Sequence, residues 1–236
     1  MSRFFDDVYN VEGLWNDGGS SLTTEPLSLA CWFYADADNL QLGLISMTKD
    51  GANPLIKLAA QGAVAGDRVL IGGYSGGEAN TTTGFSVNTW HHACGVYEST
   101  TNRHAYIDGG SKGSDTTSNT SDTVTDIGIG NLIRANPIVG MSGRIAEVGI
   151  WNVALTDAEV AILAKGYSPL FVRPQNLVVY VPLVGDEDVD IVGGLAFAEL
   201  HTPGIADHPR IIRPASGWLV PQIARIPTFI PKAIMF

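Results

Sequence analysis

Two adjacent histidines, His91 and His92, a cysteine, Cys94, and an aspartate, Asp108, fall within the 23 residues from Asn88 to Gly110. Such residue types can hold a metal ion or move a proton, provided their side chains converge. The local pattern argues against convergence. Trp90, His92, Cys94 and Val96 alternate with His91, Ala93, Gly95 and Tyr97. That is the period of a β-strand, whose successive side chains point to opposite faces. Neighbouring histidines on a strand point apart and cannot chelate one ion together. His92, on the face of Trp90 and Cys94, is expected in the core. A hairpin loop over 98–103 and the return strand "HAYIDGG" follow, with Asp108 capping an Asp-Gly turn.

Other catalytic patterns are missing. The chain has no Gly-x-Ser-x-Gly elbow, no Gly-x-x-x-x-Gly-Lys loop and no Cys-x-x-Cys pair. A retaining glycosidase needs two carboxylates ~5 Å apart. The densest acidic cluster, Asp186 to Asp190 in "GDEDVD", has the wrong spacing and is expected to be a solvated loop, with an ion as the lesser alternative. Trp15 and Tyr74, in loop-like contexts, are the candidate sugar-stacking residues, with loop aromatics folded back onto the core as the plainer reading of each. Cys31 and Cys94 are either free core thiols or one disulfide.

The elements around these residues are mostly strands. "LSLACWFYAD", Leu27 to Asp36, alternates with apolar residues on both faces, so cover on both sides, or nearly so, is expected. "LGLISMTKDGANPLIKLAAQG" reads as strand, turn, strand. "VTDIGIGNL" and "GRIAEVGIW" add two more. The period then changes once. Thr156 followed by Glu159 is a capping box, Val160, Leu163 and Ala164 have helical spacing, and Gly166 stops the helix. "NLVVYVPLVG" is a further strand, which Pro182 places at an edge or strand end.

Composition agrees with an all-β protein. Of 236 residues, 45% are apolar and 16% charged, with 27 glycines. The net charge of −10 argues against nucleic acid or an anionic membrane as partner. No uncharged apolar run reaches the ~20 residues of a membrane span, and no leader is read at the start. The charge is uneven. From His208 onward there is no acid but four bases, Arg210, Arg213, Arg225 and Lys232, while the preceding residues carry a net −14. Six of the twelve prolines lie between His201 and Phe236, amid apolar residues that include Trp218, Phe229 and Phe236. Proline forbids a helix there, and so apolar a segment needs a surface. The domain reading is a body over 1–200 and an extended arm over 201–236. Arg213, Trp218, Arg225, Phe229 and Phe236 are the expected partner contacts, a neighbouring copy being the first candidate.

"WHHACGVYESTTNRHAYIDGG" and "GRIAEVGIWNVALTDAEVAIL" together resemble the LamG/pentraxin-type, concanavalin A-like jelly roll. The residues that carry the resemblance are Trp90, His91, His92, Tyr106, Asp108, Gly109, Gly143, Ile145, Val148, Trp151, Leu155, Thr156 and Glu159. It spans roughly Leu27 to Leu183. It implies a jelly-roll β-sandwich with one short helix. It also implies that Cys31 and Cys94 lie on neighbouring strands with their sulfurs close, as in the pentraxin disulfide. Pentraxin calcium ligands map in part onto Asp50 and Asn53. The second calcium loop, however, has no acid between Gly130 and Gly143, so a double-calcium site is not implied and a weak single ion stays open.

Two non-enzymatic functions follow, with no cofactor required. LamG-like jelly rolls resembling this one occur in phage virions, as capsid decoration or fibre components. The first expectation is therefore a structural or display protein of a virion, attached through its C-terminal arm and oligomeric. The second is an extracellular or surface-displayed lectin that binds a glycan, with weak calcium assistance at Asp50 and Asn53 as its variant.

Overall fold

The computed structural model describes residues 1–6, 12–18, 22–38, 40–49, 56–62, 66–73, 76–119, 122–132, 139–185 and 188–214. Strands are numbered along the chain. One antiparallel sheet runs β11 (Gly110–Asp115), β10 (Asn102–Ile107), β9 (Trp90–Ser99), β4 (Leu27–Ala35), β14 (Gly143–Trp151), β1 (Ser2–Phe5) and β17 (Gly204–Ala206). β15 (Leu177–Val181) pairs with the far half of β14, so β1 and β15 share that strand's second edge. The other sheet runs β16 (Ala198–Leu200), β2 (Gly13–Asn16), β13 (Asp126–Ile129), β5 (Gln41–Thr48), β6 (Ile56–Gln61), β7 (Arg68–Gly72) and β8 (Glu78–Gly84). A small ribbon pairs β3 (Leu22–Thr23) with β12 (Thr123–Val124).

Strand alternation sorts the apolar residues into two cores. Leu29, Cys31 and Phe33 of β4 face the second sheet and pack with Ile45, Leu58 and Ile127 in the sandwich interior. Ala30 of β4 and Cys94 and Val96 of β9 face outward, where Tyr106, Trp151, Val160 and Leu163 bury them. The cover is the helix α1 (Asp157–Ala164). Its capping box forms as the sequence predicts: the Thr156 hydroxyl accepts from the Glu159 amide, and the Glu159 carboxylate accepts from the Thr156 amide at 2.8 Å. After Gly166, at φ 86°, a 3-10 turn (Pro169–Phe171) follows. Beneath it the Trp151 indole N–H donates to the Val172 carbonyl at 2.7 Å. Among the described residues no helix is long and apolar enough to cross a membrane.

The body does not stop at residue 200. β17 extends the first sheet by pairing with β1, and Ile212 forms a parallel bridge with Tyr167. The Ser168 amide donates to the Ile212 carbonyl at 3.0 Å, and the Ile212 amide donates to the Gly166 carbonyl at 2.7 Å. Gly204–Ala206 and Ile212, within the segment expected as an arm, thus pair with the backbone of the body. The proline-rich composition hid this, because prolines alternate with residues free to pair.

The sheets also meet at one edge, where β11 crosses β8. A Cβ on Gly113 would sit 1.6 Å from the Asn80 carbonyl oxygen. Gly113→Ala must push backbone against backbone, and we expect a loss of about 1–3 kcal/mol. Thermal melting reads this as roughly 2–4 °C per kcal/mol in a chain of this size; an unchanged melting temperature would show that this edge is not packed as described.

Candidate functional site

The two histidines do point apart. His91 pairs across from Phe33 and His92 from Trp32. The His91 ring lies toward the sandwich interior, 5.8 Å from Phe33 and 6.5 Å from Phe85. The His92 ring is on the outer face, edge-on to Trp32 at 5.5 Å.

His91 is part of a Ser-His-Asp array that sequence reading did not assemble. Its Nδ1 lies 2.7 Å from Asp108 Oδ2, and its Nε2 lies 3.1 Å from the Ser86 hydroxyl. The Ser86 backbone N–H also donates to that Nε2, at 3.1 Å. The lone pair a general base would use is therefore occupied by an amide. The second Asp108 oxygen accepts the His92 amide at 2.9 Å. Burial opposes ionisation of Asp108, but the bonds from His91 and the His92 amide outweigh it and hold the carboxyl below its usual range. The array is a clasp joining the turn before β9 to the β10–β11 turn. Asp108 sits in that turn at φ 50°, and its carboxylate, expected to cap the turn, instead bonds to His91 and the His92 amide of β9.

The cysteines require a correction. β4 and β9 are neighbours, as the resemblance implies, but Cys31 pairs across from Ala93, and Cys94 from Ala30. This one-residue offset sends the two side chains to opposite faces, Cys31 into the sandwich core and Cys94 under the helix. Both are free and buried, and burial pushes both thiols well above their usual range. A thiol reagent is expected to find neither cysteine in the native protein and both after unfolding. A disulfide detected in the native chain would contradict this register.

The acidic cluster is not simply a solvated loop either. Asp190 is 1% exposed and accepts the amides of Tyr180 at 2.8 Å and Val192 at 2.9 Å. Asp188 is buried beside Arg3, 2.5 Å away, and Arg3 also pairs with Glu199. Burial pushes Asp188 up to about 6 despite the guanidinium. Periodicity cannot reveal that an acid is answered by an arginine 185 residues earlier. Among the described residues, no group of three or more His, Cys, Asp or Glu side chains could hold a metal. Asp50, Asn53 and Tyr74 lie outside the described residues. Trp15 is half-buried on β2, between Gly128 and Ala198, on the sheet opposite the histidine strand.

The helix covers only part of the outer face of the first sheet. Beyond it lies a row of side chains brought together by register: Trp90 of β9, Tyr34 of β4, Arg144 of β14 and Phe4 of β1. All four are half-buried. Tyr34 meets Trp90 edge-on at 5.8 Å, and the Arg144 guanidinium lies over the Tyr34 ring, 4.4 Å from its centroid. With strands ~4.8 Å apart, the row extends ~14 Å across the sheet. Trp32 and His92 form the next row, toward the helix. β4 is thus nearly covered on both faces, as expected, with Trp32 and Tyr34 half-buried toward its far end. The signal was visible, since Trp32 and Tyr34 share a face by alternation; the partner strands and the reach of the cover were not.

The second row opens into a narrow crevice lined by Trp32, His92, Glu147, Leu163, Tyr167 and Pro169. Burial pushes His92 down to about 4, with Asp108 opposing, so its ring is neutral near pH 7. Glu147 sits at a bulge of β14 with φ 56°. Its buried carboxylate accepts from Tyr180 Oη and from Arg213 Nη2, each at 2.6 Å. Arg213, expected to meet a partner, is therefore engaged within its own chain. Trp218, Arg225, Phe229 and Phe236 lie outside the described residues.

Solved structures share this architecture. A native heptameric SAP-like pentraxin from Limulus polyphemus aligns over 85% of this chain and 94% of its own, with TM-score 0.58 and 13% identity. A putative carbohydrate binding protein from Bacteroides ovatus aligns over 82% of this chain and 60% of its own, with TM-score 0.54 and 17% identity. Domain 4 of AbnA, an extracellular arabinanase from Geobacillus stearothermophilus in complex with arabinotriose, aligns over 64% of this chain and 72% of its own, with TM-score 0.50 and 19% identity. At these identities the likeness is one of fold. A search of curated proteins gave no match. The jelly-roll sandwich, with its Trp-His-His strand and capped helix, agrees with the family model that residues 14–161 match, and the chain belongs to that family, Laminin_G_3 of the concanavalin A-like lectin/glucanases superfamily.

Proposed function

We propose that this protein is a non-catalytic, glycan-contacting display module of a larger assembly, a virion surface in the first instance. The row Trp90–Tyr34–Arg144 is its contact surface and the C-terminal arm its fastening. The observation that carries the reading is the row itself. Aromatic faces left partly in water where the helix's cover of the sheet ends mark a contact surface, and aromatic rings stack on the apolar faces of sugars. Arg144 adds donors that a sugar hydroxyl can accept. The carbohydrate-related structures with the same fold support this class of ligand. The non-catalytic reading is supported by Glu147, the single carboxylate among the crevice lining, which is held by Tyr180 and Arg213 rather than presented to a substrate. No metal is assigned to the contact.

A glycan array followed by calorimetry tests it. Each of Tyr34→Ala and Trp90→Ala removes a ring contact of about 0.5–1.5 kcal/mol and is expected to weaken binding about 2- to 10-fold, the pair together more. Trp15→Ala, on the other sheet, and chelation by EDTA are expected to leave affinity unchanged. If no glycan binds, or binding survives loss of both rings, the row is not a sugar surface. The display reading is tested by cutting after Pro214, two residues beyond the Ile212 bridge. The shortened protein is expected to fold yet not to join its assembly, and normal incorporation would refute the fastening role.

A further inference from the structure

Beside the root of the arm, three large apolar side chains stand exposed together. Tyr167 is 37% exposed, Phe171 41% and Ile212 46%. They are contiguous: the Tyr167 and Phe171 rings meet edge-on at 5.8 Å, and Tyr167 and Ile212 are bridge partners. The backbone beneath is held by the Ser168–Ile212 and Ile212–Gly166 hydrogen bonds and by the Arg213–Glu147 ion pair. The patch is therefore a preformed surface on ordered backbone. An apolar cluster built this way is a contact site.

We infer that this patch receives the arm, residues 215–236, of a second copy of the same chain. The inference rests on the fastening role proposed above and names its partner. The arm has the matching chemistry. It carries Trp218, Ile223, Ile226, Phe229, Ile230 and Phe236, two bases, Arg225 and Lys232, and no acid, whereas residues 1–214 carry a net −12. It also has the reach. Twenty-two residues extend to ~70 Å, against about 45 Å for the diameter of a body of this size. To cover its own patch, the arm would have to fold back on itself, since Ile212, two residues before Pro214, is itself part of the patch. Reaching a neighbour requires no reversal, and Pro214, Pro221, Pro227 and Pro231 favour extended backbone. Such a contact is heterologous, with each copy giving an arm and receiving one.

The test uses full-length chains. One variant loses the patch, Tyr167→Ser with Phe171→Ser; the other loses the arm's anchors, Trp218→Ser with Phe229→Ser. Light scattering coupled to size exclusion reads the mass, and thermal melting checks that each variant folds. The unaltered protein is expected to be oligomeric and each variant monomeric. An equal mixture of the two variants is expected to give a one-to-one dimer, because one intact arm then meets one intact patch. An oligomer that survives loss of the patch, or a mixture that stays monomeric, overturns the inference. If loss of the anchors blocks joining of the larger assembly while loss of the patch does not, the fastening role stands and the second copy is the wrong partner. A monomeric unaltered protein refutes exchange between copies.

Discussion

Arg103→Met is expected to lower the unfolding free energy by about 3–5 kcal/mol, the magnitude seen when one partner of a buried charge pair is removed. Arg103 is 0% exposed. Its guanidinium pairs with Asp115 and donates to the carbonyls of Gly77 at 2.9 Å, Thr117 at 2.6 Å and Thr100 at 3.3 Å. It also lies 5.3 Å from the Tyr97 ring centroid. One side chain thus ties the β10–β11 hairpin to the turn before β8. Methionine fills much of the volume but leaves those acceptors without donors. Asp115, at 21% exposure, regains some water, which places the effect toward the lower end of the range. Arg103→Lys keeps the charge but not the planar fork and is expected to fall between the two. Urea unfolding reads the result as a lower midpoint at unchanged slope. A loss under ~1 kcal/mol would mean the guanidinium is not the tie described here.

His92 supplies the second large effect, in acid. Its imidazole is 2% exposed, and burial holds its pKa at about 4 in the native chain, while an unfolded histidine titrates near ~6.5. Between these values the unfolded chain binds the proton and the native chain does not, so stability falls as pH drops from about 6.5 to 4. The loss attributable to His92 is about 3 kcal/mol. Asp188 works the other way. Its native pKa is raised to about 6, so its contribution is fully present below the unfolded value and fades as pH rises through 6. The two slopes largely cancel in the unaltered protein. His92→Gln removes one of them, and that variant is expected to gain stability relative to the parent on acidification from pH 6.5 to 4. Parallel pH profiles for the two proteins would show that His92 is not buried neutral.

Much of the framework was legible in local pattern. Alternation in the Trp90 strand separated His91 from His92, and the Thr156–Glu159 box marked the helix start, because both depend on backbone geometry within a few residues. The site was legible only in pieces. Trp32 and Tyr34 could be put on one face of their strand, but Trp90 and Arg144 come from strands whose register only pairing sets. Trp15 drew attention because it sits in a polar stretch, yet it lies on the other sheet.

The sequence by itself determined that this chain is an all-β sandwich with one capped helix, since strand and helix periods are properties of short segments and the hydrophobic pattern repeats them along the chain. Only the tertiary structure decided which side chains meet. It set the one-residue offset that parts Cys31 from Cys94, brought Arg3 to Asp188, engaged Arg213 with Glu147, and ended the helix's cover short of Tyr34 and Trp90. Each of these depends on how distant segments pair, and that is a property of the packed sheets rather than of any one strand.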